Sequence, residues 1–349
     1  MEKFICQKKI KKNMKSKSNK FTEEQIRPKL LKKKIKKNFN HDLEYLVSRK
    51  KSFEKVSCPG CQNKNNKKYL EKNKINYLIC TKCKTFFVSP RPSEKLLEEF
   101  YKQSKVYEFF NNYIFPQTEK IRSKKIAKPR VDNILKLSKK YKLFKPSILE
   151  VGPGYGTFCS LANKSRFFSS VDAVEPSPEG ADNCRKKGIN VFEETIENLN
   201  IKKRFDIIVN FEVIEHLFWP KKFILSMKKF LKKKGFMILT CPNGMGFDIQ
   251  ILKEKSDSID HEHLNYFNPY SIKKLFEICN FKILEIFTPG QLDVDLVRNK
   301  ILDKKINLDI NPFLKDIIIN NYDTKGNEFQ KYLINNNLSS NMWVVAQKK

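Results

Sequence analysis

The chain has 349 residues, of which 40% are hydrophobic and 12% aromatic, so it can bury the core of one large domain or of two smaller ones. Its formal net charge is +32, but Lys is abundant along the whole chain, which is typical of an AT-rich genome as well as of a protein that binds anions. We find no apolar run of about 18 residues and no secretory leader, which excludes a transmembrane helix and predicts a cytoplasmic protein.

The chain begins with a strongly basic segment. Residues 1–57 contain 19 Lys and Arg against 6 Asp and Glu. Leu31, Ile35 and Phe39 lie four residues apart, as on one stripe of a helix. We therefore predict a basic, partly disordered and partly helical arm over 1–55. Weak peripheral contact with an anionic membrane, or contact with RNA, is the alternative role for this arm.

Four of the nine cysteines form two matched pairs. Cys58 and Cys61 stand in "CPGC", Cys80 and Cys83 stand in "CTKC", and 18 residues separate the pairs. This spacing is typical of a structural zinc site, in which four thiolates surround one tetrahedral ion. We predict a zinc ribbon over 56–92, with a redox role for the pairs as the alternative. The other five cysteines are scattered singly, unlike a disulfide framework: Cys6, Cys159, Cys184, Cys241 and Cys279.

Residues 93–146 are predicted to form a helical linker or lid. Ser93 is a suitable N-cap for the helix "SEKLLEEFYKQ", and "VDNILKLSKKYKLF" has apolar residues at helical spacing. Pro146 then ends the helical pattern.

From residue 147 onward, short apolar segments alternate with helical ones. This order predicts an α/β fold with a parallel, doubly wound sheet and helices on both faces. The helix "KKFILSMKKFLKKKG" is predicted to end at Gly235. Residues 298–338 are predicted to form a mostly helical insertion. The predicted strands are "SILEVG", "SVDAVEPS", "INVFEE", "FDIIVNFE", "FMILTCPN", "FKILEIFT" and "NMWVVAQ".

The first of these strands runs into a glycine-rich turn, "ILEVGPGYGTF". A P-loop is excluded because no Gly-Lys-Ser/Thr follows, and the dinucleotide fingerprint would need glycine where Thr157 stands. The next strand ends at Glu175, where an acidic side chain accepts hydrogen bonds from both hydroxyls of a ribose. The turn itself has glycine at three alternate positions: Gly152, Gly154 and Gly156.

Taken in order, these motifs resemble the class I S-adenosylmethionine-dependent methyltransferases. That family reads E/D-x-G-x-G-x-G, then an acid that ends the second strand, and here "FDIIVNFEVIEHLFWP" and "FLKKKGFMILTCPNG" follow as its later motifs. Phe236 replaces the second glycine of the family's last motif. The resemblance covers about 147–297 and the final strand. It implies a Rossmann-like, seven-stranded sheet whose last strand is antiparallel, in a methyltransferase domain over 147–349.

The same resemblance implies how S-adenosylmethionine is bound. The cofactor carries no phosphate, so the glycine-rich turn serves to let the backbone approach its methionine and ribose. Glu150 is expected to orient the methionine amino group, and Glu175 to hold the ribose. Thr195 and Ile196 are expected to line the adenine, while Asn210 and Phe211 close the pocket.

The catalytic candidates come from two loops beyond the strands. Methyl transfer needs a positioned nucleophile and, for an oxygen or carbon acceptor, a base that removes its proton. His216 follows the fourth strand in "EVIEHL", and His263 and Tyr266 lie in "DHEHLNYF". We predict His216 as the base, with His263 second and His261 less favoured. Alternatively, Glu212, Glu215 and His216, with His263, form a site for a divalent ion such as Mg²⁺.

The segment "CTKCKTFFVSPRPSEKLLEEFY" further resembles the ribbon that precedes methyltransferases of sugar and surface-polysaccharide pathways. It implies a small-molecule acceptor, namely a sugar, a nucleotide-linked sugar or a saccharide end. The alternative is an RNA methyltransferase that uses the ribbon and the basic arm to hold the phosphate backbone. Steep salt dependence of binding to generic RNA would separate the two.

Overall fold

The computed structural model describes residues 21–303, 305–306 and 311–349. The first 20 residues of the predicted arm, with Cys6, and part of the predicted insertion lie outside these ranges. Short apolar segments form the strands of the described part: β1 (Phe53–Glu54), β2 (Asn66–Lys72), β3 (Ile75–Cys80), β4 (Phe86–Val88), β5 (Arg91–Pro92), β6 (Ser147–Val151), β7 (Ser170–Val174), β8 (Asn190–Phe192), β9 (Phe205–Phe211), β10 (Leu231–Pro242), β11 (Asn265–Tyr266), β12 (Phe281–Phe287) and β13 (Asn341–Lys348).

The α-helices start at good capping residues where the chain offers them; the side chain of Ser93, for example, accepts a hydrogen bond from the Leu96 amide, as predicted. They are α1 (Glu23–Ile26), α2 (Lys32–Val47), α3 (Glu94–Gln103), α4 (Lys105–Phe109), α5 (Phe115–Arg122), α6 (Lys128–Lys140), α7 (Thr157–Lys164), α8 (Pro178–Lys186), α9 (Pro220–Lys229), α10 (Phe247–Leu252), α11 (Pro269–Ile278), α12 (Asp293–Leu302), α13 (Pro312–Lys315) and α14 (Asn327–Asn335). None of these described helices is long and apolar enough to span a membrane.

Seven strands form the central sheet in the order β12-β13-β10-β9-β6-β7-β8. The last strand, β13, is antiparallel to both of its neighbours, whereas β10, β9, β6, β7 and β8 pair in parallel. Alternate residues of each strand enter two separate hydrophobic clusters, as Leu149 and Ile148 do in β6. The predicted α/β, Rossmann-like sheet of seven strands is confirmed.

Helix α6 belongs to the packing of this sheet. Val131, Ile134 and Leu137 on one of its faces join Ile148 of β6 and Phe158 of α7 in a shared cluster. The segment predicted as a linker or lid therefore contributes, through α6, to the core beneath the sheet.

One predicted helix boundary is wrong. Helix α9 ends at Lys229 rather than near Gly235, and Leu231 already pairs with Phe205 in the sheet. The amide of Phe205 also donates to the carbonyl of Phe230. Three consecutive lysines carry no periodicity, so the sequence does not show where the helix gives way to the strand.

The insertion begins earlier than predicted. Helix α12 starts at Asp293, and it packs with α10 and α14 around a small core of its own. Leu252, Val297 and Leu333 lie at the centre of that core.

A second, four-stranded sheet has the order β11-β4-β3-β2. Strands β2, β3 and β4 come from the cysteine-rich segment, whereas β11 comes from the loop after the fifth strand of the central sheet. Tyr266 of β11 stacks on Phe86 of β4 with ring centroids 4.2 Å apart. The buried Arg91 donates to the carbonyls of Val88, Phe218 and Leu264. The cysteine-rich segment is thus built into the loop that carries the predicted catalytic residues.

Candidate active site

The three glycines of the turn after β6 all have a positive φ, between +52° and +75°. A side chain at Gly152 would come within 2.8 Å of Val213, and one at Gly156 within 2.9 Å of Cys184. A side chain at Gly154 would meet no described atom within 4 Å. Gly152 and Gly156 are therefore required by packing, while Gly154 borders open space at the carboxyl edge of the sheet.

Glu175 lies at the tip of β7 and faces this turn. Its carboxylate accepts hydrogen bonds from the amides of Gly154, at 3.1 Å, and Ser177, at 3.0 Å. Burial raises the pKa of Glu175, and the two amide hydrogen bonds oppose that rise. Gly180 leaves room for the carboxylate, since a side chain there would lie 2.8 Å from the Glu175 side chain.

Glu150, the last acid before the turn, is buried beneath it. The thiol of Cys159 donates to its carboxylate at 2.9 Å. Burial raises the pKa of Glu150 to about 7, although that hydrogen bond and the charge of Arg130 lower it.

Arg130 is a site residue that the sequence analysis missed. Its guanidinium group reaches from α6 and lies 4.4 Å from the ring centre of Phe211 and 3.8 Å from a carboxylate oxygen of Glu212. Burial lowers its pKa, while the neighbouring carboxylates of Glu212, Glu150 and Glu215 raise it. Within a lysine-rich helix this arginine had no distinguishing pattern, so no sequence signal would have found it.

The remaining predicted cofactor residues lie on the neighbouring strands. The amide group of Asn210 donates to the carbonyl of Val151 at 2.9 Å, which ties β9 to β6. The ring of Phe211 packs against Phe158 and Trp343. Thr195 is partly exposed, whereas Ile196 is buried in the hydrophobic cluster on one face of the sheet.

The two predicted catalytic histidines are brought together by the fold. His216 ends a short 3₁₀ turn after β9, and the ring centroids of His216 and His263 lie 4.6 Å apart. Nδ1 of His216 lies 3.1 Å from the carbonyl oxygen of Glu262, and Nδ1 of His263 lies 2.9 Å from that of Ser258. A carbonyl oxygen only accepts, so both Nδ1 atoms carry the proton and both Nε2 lone pairs stay available.

Burial lowers the pKa of His216 to about 3, and the nearby His263 adds to this effect. The neutral ring is therefore the stable form at any pH near neutrality. Such a ring can ligate a metal ion, whereas its lowered pKa makes it a weak proton acceptor in the free protein.

Glu215 completes a group with these histidines. One carboxylate oxygen of Glu215 and a nitrogen from each of His216 and His263 lie within 4.8 Å of one another. Glu215 is fully buried, and neither of its oxygens has a hydrogen-bond partner in the described part of the chain. Glu212 is not part of this group, because its carboxylate accepts from Thr240 and Asn341 instead.

The hydroxyl of Tyr266 makes hydrogen bonds to the backbone of its own loop. The hydroxyl donates to the carbonyl of Ser258 at 3.0 Å and accepts from the amide of Asp260 at 3.2 Å. These bonds hold the turn from which His263 projects.

The four paired cysteines converge. The sulfurs of Cys58 and Cys83 are 3.4 Å apart, those of Cys61 and Cys80 are 3.6 Å apart, and all four lie within 4.8 Å of one another. Four thiolates about 2.3 Å from one tetrahedral zinc ion would be separated by about 3.8 Å. The sulfur positions therefore suit such an ion, and they are too far apart for disulfides.

Residues 119–286, which include the glycine turn, Glu175 and His216, match the family model described as a methyltransferase domain. The chain contains an S-adenosylmethionine-dependent methyltransferase domain. The match starts at residue 119, so this methyltransferase domain includes α6 and Arg130 as well as the sheet.

Curated relatives of the methyltransferase domain include ubiquinone biosynthesis O-methyltransferases. The protein from Rickettsia akari is 34% identical over 105 residues, which is 29% of this chain and 42% of the relative. The protein from Rickettsia bellii is 26% identical over 152 residues, which is 40% of this chain and 62% of the relative. The chain thus spans less than half of the first of these relatives.

Solved structures similar to the methyltransferase domain share little sequence with it. One is a possible histamine N-methyltransferase from Thermotoga maritima, with 15% identity, a TM-score of 0.45, and coverage of 70% of this chain and 99% of that one. Another is magnesium protoporphyrin IX methyltransferase from Synechocystis with bound S-adenosylhomocysteine, with 10% identity, a TM-score of 0.46, and coverage of 70% and 98%.

Proposed function

We propose that this protein transfers the methyl group of S-adenosylmethionine to a hydroxyl group of a small molecule. The observation that carries the proposal is the open turn at Gly154, which faces the buried Glu175 while His216 and His263 stand on neighbouring loops of the same sheet edge. Ligands of open α/β sheets bind at this edge.

The residues at the turn suit S-adenosylmethionine. Glu175 is fixed by two amides and keeps lone pairs for the ribose hydroxyls, and Gly154 leaves space for close approach of the ligand. The carboxylate of Glu150 in β6 can pair with the amino group of the methionine, and the guanidinium group of Arg130 in α6 can pair with its carboxylate. Thr195 and Ile196 at the adenine, and Asn210 and Phe211 at the pocket wall, complete the proposed cofactor site.

Glu150 makes cofactor binding depend on pH. Its raised pKa of about 7 means that Glu150 is largely protonated below pH 7 in the free protein, whereas pairing with an ammonium group needs the carboxylate. S-Adenosylhomocysteine should therefore bind more tightly as the pH rises from 5.5 to 8, with the change centred near 7 and a proton released on binding. Calorimetry in buffers of different ionisation enthalpy measures that proton. Glu150→Gln should remove both effects, and a pH-independent affinity in the wild type would contradict this role.

The same shift has a consequence for stability. Since the pKa of Glu150 is higher in the folded protein than the ordinary value of 4.5, the folded form holds the extra proton between those two values. The contribution of Glu150 to stability is therefore present at low pH and is lost as the pH rises through about 7.

Catalysis at the acceptor falls to the two histidines. Bound S-adenosylmethionine supplies an electrophilic methyl group attached to a sulfonium. His216, held by the Glu262 carbonyl with Nε2 free, is proposed to accept the hydroxyl proton, and His263 to orient the acceptor. Tyr266 is proposed as a positioning residue, because both of its hydrogen bonds hold the loop of His263.

A divalent cation is a second candidate at the same place. Glu215, His216 and His263 would hold it, and this role is favoured because neither oxygen of the buried Glu215 has a partner among the described residues. A cation bound there would lower the pKa of an acceptor hydroxyl.

The class of acceptor is proposed as a small molecule. The relatives named ubiquinone biosynthesis O-methyltransferases point to an aromatic hydroxyl, whereas the predicted sugar acceptor rests on the ribbon motif alone. A panel of catechols and nucleotide-linked sugars, assayed by release of S-adenosylhomocysteine, tests this choice. Turnover of a catechol with none of any sugar would favour the aromatic class, and the reverse result would favour the sugar.

We also propose that Cys58, Cys61, Cys80 and Cys83 hold a structural zinc ion. Four sulfur ligands leave no open coordination position, so this zinc would serve folding rather than catalysis. Its loop contacts the methyltransferase domain directly, since the Asn268 side chain at the start of α11 donates to the carbonyl of Cys83 at 2.9 Å.

Removal of one thiolate should therefore destabilise the ribbon. Cys58→Ser is expected to lose the zinc ion and to lower the melting temperature by about 10 °C, because the metal replaces much of the hydrophobic core in so small a unit. Cys279→Ser, which also removes a buried thiol but lies outside the group, is the matched control. Metal analysis and calorimetric melting give the answer, and equal zinc content in both variants would refute the site.

A further inference from the structure

A second group of potential metal ligands lies on the other side of the catalytic loop. It consists of Asp42 from α2 and of His261 and Glu262 from the loop before β11. One ligand atom from each of the three residues lies within 4.8 Å of the other two. No part of the proposed methyl-transfer site uses these side chains.

The environment of the His261 side chain is the observation that indicates a bound ion. Its side chain has no exposed surface, and neither ring nitrogen has a hydrogen-bond partner within the described ranges. Phe39 of α2 packs against the ring edge-on with centroids 4.4 Å apart, and Phe100 of α3 packs from another side at 5.8 Å. A buried imidazole without partners loses the free energy of solvating both nitrogens, so such rings normally bind something.

Glu262 is the second residue of this group with a buried polar atom that lacks a partner in the described part of the chain. Its Oε1 atom is buried and has no hydrogen-bond partner among the residues that the structure describes. Oε1 lies 3.9 Å from Nε2 of His261, which is too far for a hydrogen bond and about 0.5 Å longer than the spacing of two such ligands around one tetrahedral zinc ion.

Asp42 is already oriented by the fold. Its carboxylate accepts hydrogen bonds from the amides of Lys105 and Val106, both at 2.9 Å, and from the hydroxyl of Ser104 at 2.6 Å. Nδ1 of His41 also lies 3.2 Å from Oδ1 of Asp42. Bonds of this kind hold a carboxylate ligand in place, and a metal ion would take the lone pair that His41 approaches.

We propose that Asp42, His261 and Glu262 bind a divalent cation of the zinc class. The imidazole favours Zn²⁺ and similar transition ions over Mg²⁺ and Ca²⁺, which prefer oxygen ligands alone, and three protein ligands leave a position for water. The ion would join α2 and the start of α4 to the catalytic loop. It would also fix the Glu262 peptide, whose carbonyl accepts the hydrogen bond from His216.

Metal content tests this site independently of any methyltransferase activity. The full chain, dialysed against Zn²⁺ and then against metal-free buffer, should hold about two zinc ions, one at the four cysteines and one here. His261→Gln and Asp42→Asn should each lose about one equivalent, and Asn keeps one of the two oxygens that accept from the first amides of α4. Glu44→Gln, which removes an exposed carboxylate from the same helix but outside the group, should lose none.

The neighbouring group of Glu215, His216 and His263 must be distinguished from this one. The proposal would be overturned if Glu215→Gln lost the second zinc ion while His261→Gln retained it. It would also be overturned if the wild type held a single zinc ion and Cys58→Ser removed that ion. X-ray absorption at the zinc edge of the wild type needs no variant to fold. Nitrogen and oxygen neighbours beside sulfur that persist in Glu215→Gln support the site, and a first shell of sulfur alone contradicts it.

Discussion

Replacing Gly154 by arginine should abolish binding of S-adenosylhomocysteine, with an affinity loss of at least about 100-fold, or about 2.7 kcal/mol. A side chain at Gly154 meets no described atom within 4 Å, so an arginine there would occupy the space that the proposed ligand needs. Its backbone amide also donates to Glu175, and a shift of the turn would weaken the proposed ribose site. Equilibrium dialysis with labelled S-adenosylhomocysteine measures the loss.

Gly188→Arg is a close control for this experiment. Gly188 has a φ of +73°, and a side chain there also meets no described atom within 4 Å, so the backbone strain of the two substitutions is similar. Gly188 follows α8 at the far end from the turn. Normal binding by Gly188→Arg together with loss in Gly154→Arg locates the ligand at the turn. Equal affinities in the two variants would remove Gly154 from the cofactor site.

Replacing His216 by glutamine should reduce turnover by about 100-fold to 10,000-fold while leaving the affinity for S-adenosylhomocysteine unchanged. The ring is neutral, its Nδ1 is held by the Glu262 carbonyl, and its centroid lies 4.6 Å from that of His263. Steady-state kinetics with the acceptor found in the panel above, beside a binding titration, separates the two effects.

Two further measurements sharpen this result. His41→Gln removes an exposed histidine and should leave turnover unchanged. Treatment of the wild type with a chelator, followed by return of Zn²⁺ alone or of Zn²⁺ with Mg²⁺, separates the two roles of His216, because a proton acceptor needs no Mg²⁺ and a ligand of Mg²⁺ does. Full turnover in His216→Gln would exclude both roles.

The sheet and its glycine turn could be predicted because their signals are local. Short apolar strands alternate with amphipathic helices, and three glycines follow a buried strand in a turn where the structure gives each of them a positive φ. The pairing of His216 with His263 followed from the rule that loops at the carboxyl ends of parallel strands meet at one edge.

The parts that could not be predicted depend on contacts between distant segments. Strand β11 has only two residues, too few for any periodicity, yet it joins the cysteine-rich segment to the loop of His263. Asp42 and His261 lie close together in the structure although more than two hundred residues separate them in the sequence. No motif around either residue predicts this contact. Arg130 reaches the candidate site because α6 packs against the sheet. The lysine-rich sequence of this helix does not show that packing.

Calorimetric titration of the wild-type chain with S-adenosylhomocysteine, and separately with NAD⁺, tests the proposed cofactor class most directly. Thr157 stands where a dinucleotide site needs glycine, and the turn provides no lysine for a phosphate. We predict one binding site for S-adenosylhomocysteine, with a dissociation constant of about 1–100 μM, and no heat with NAD⁺. Absence of binding to S-adenosylhomocysteine, or tighter binding of NAD⁺, would contradict a methyl-donor site at this turn.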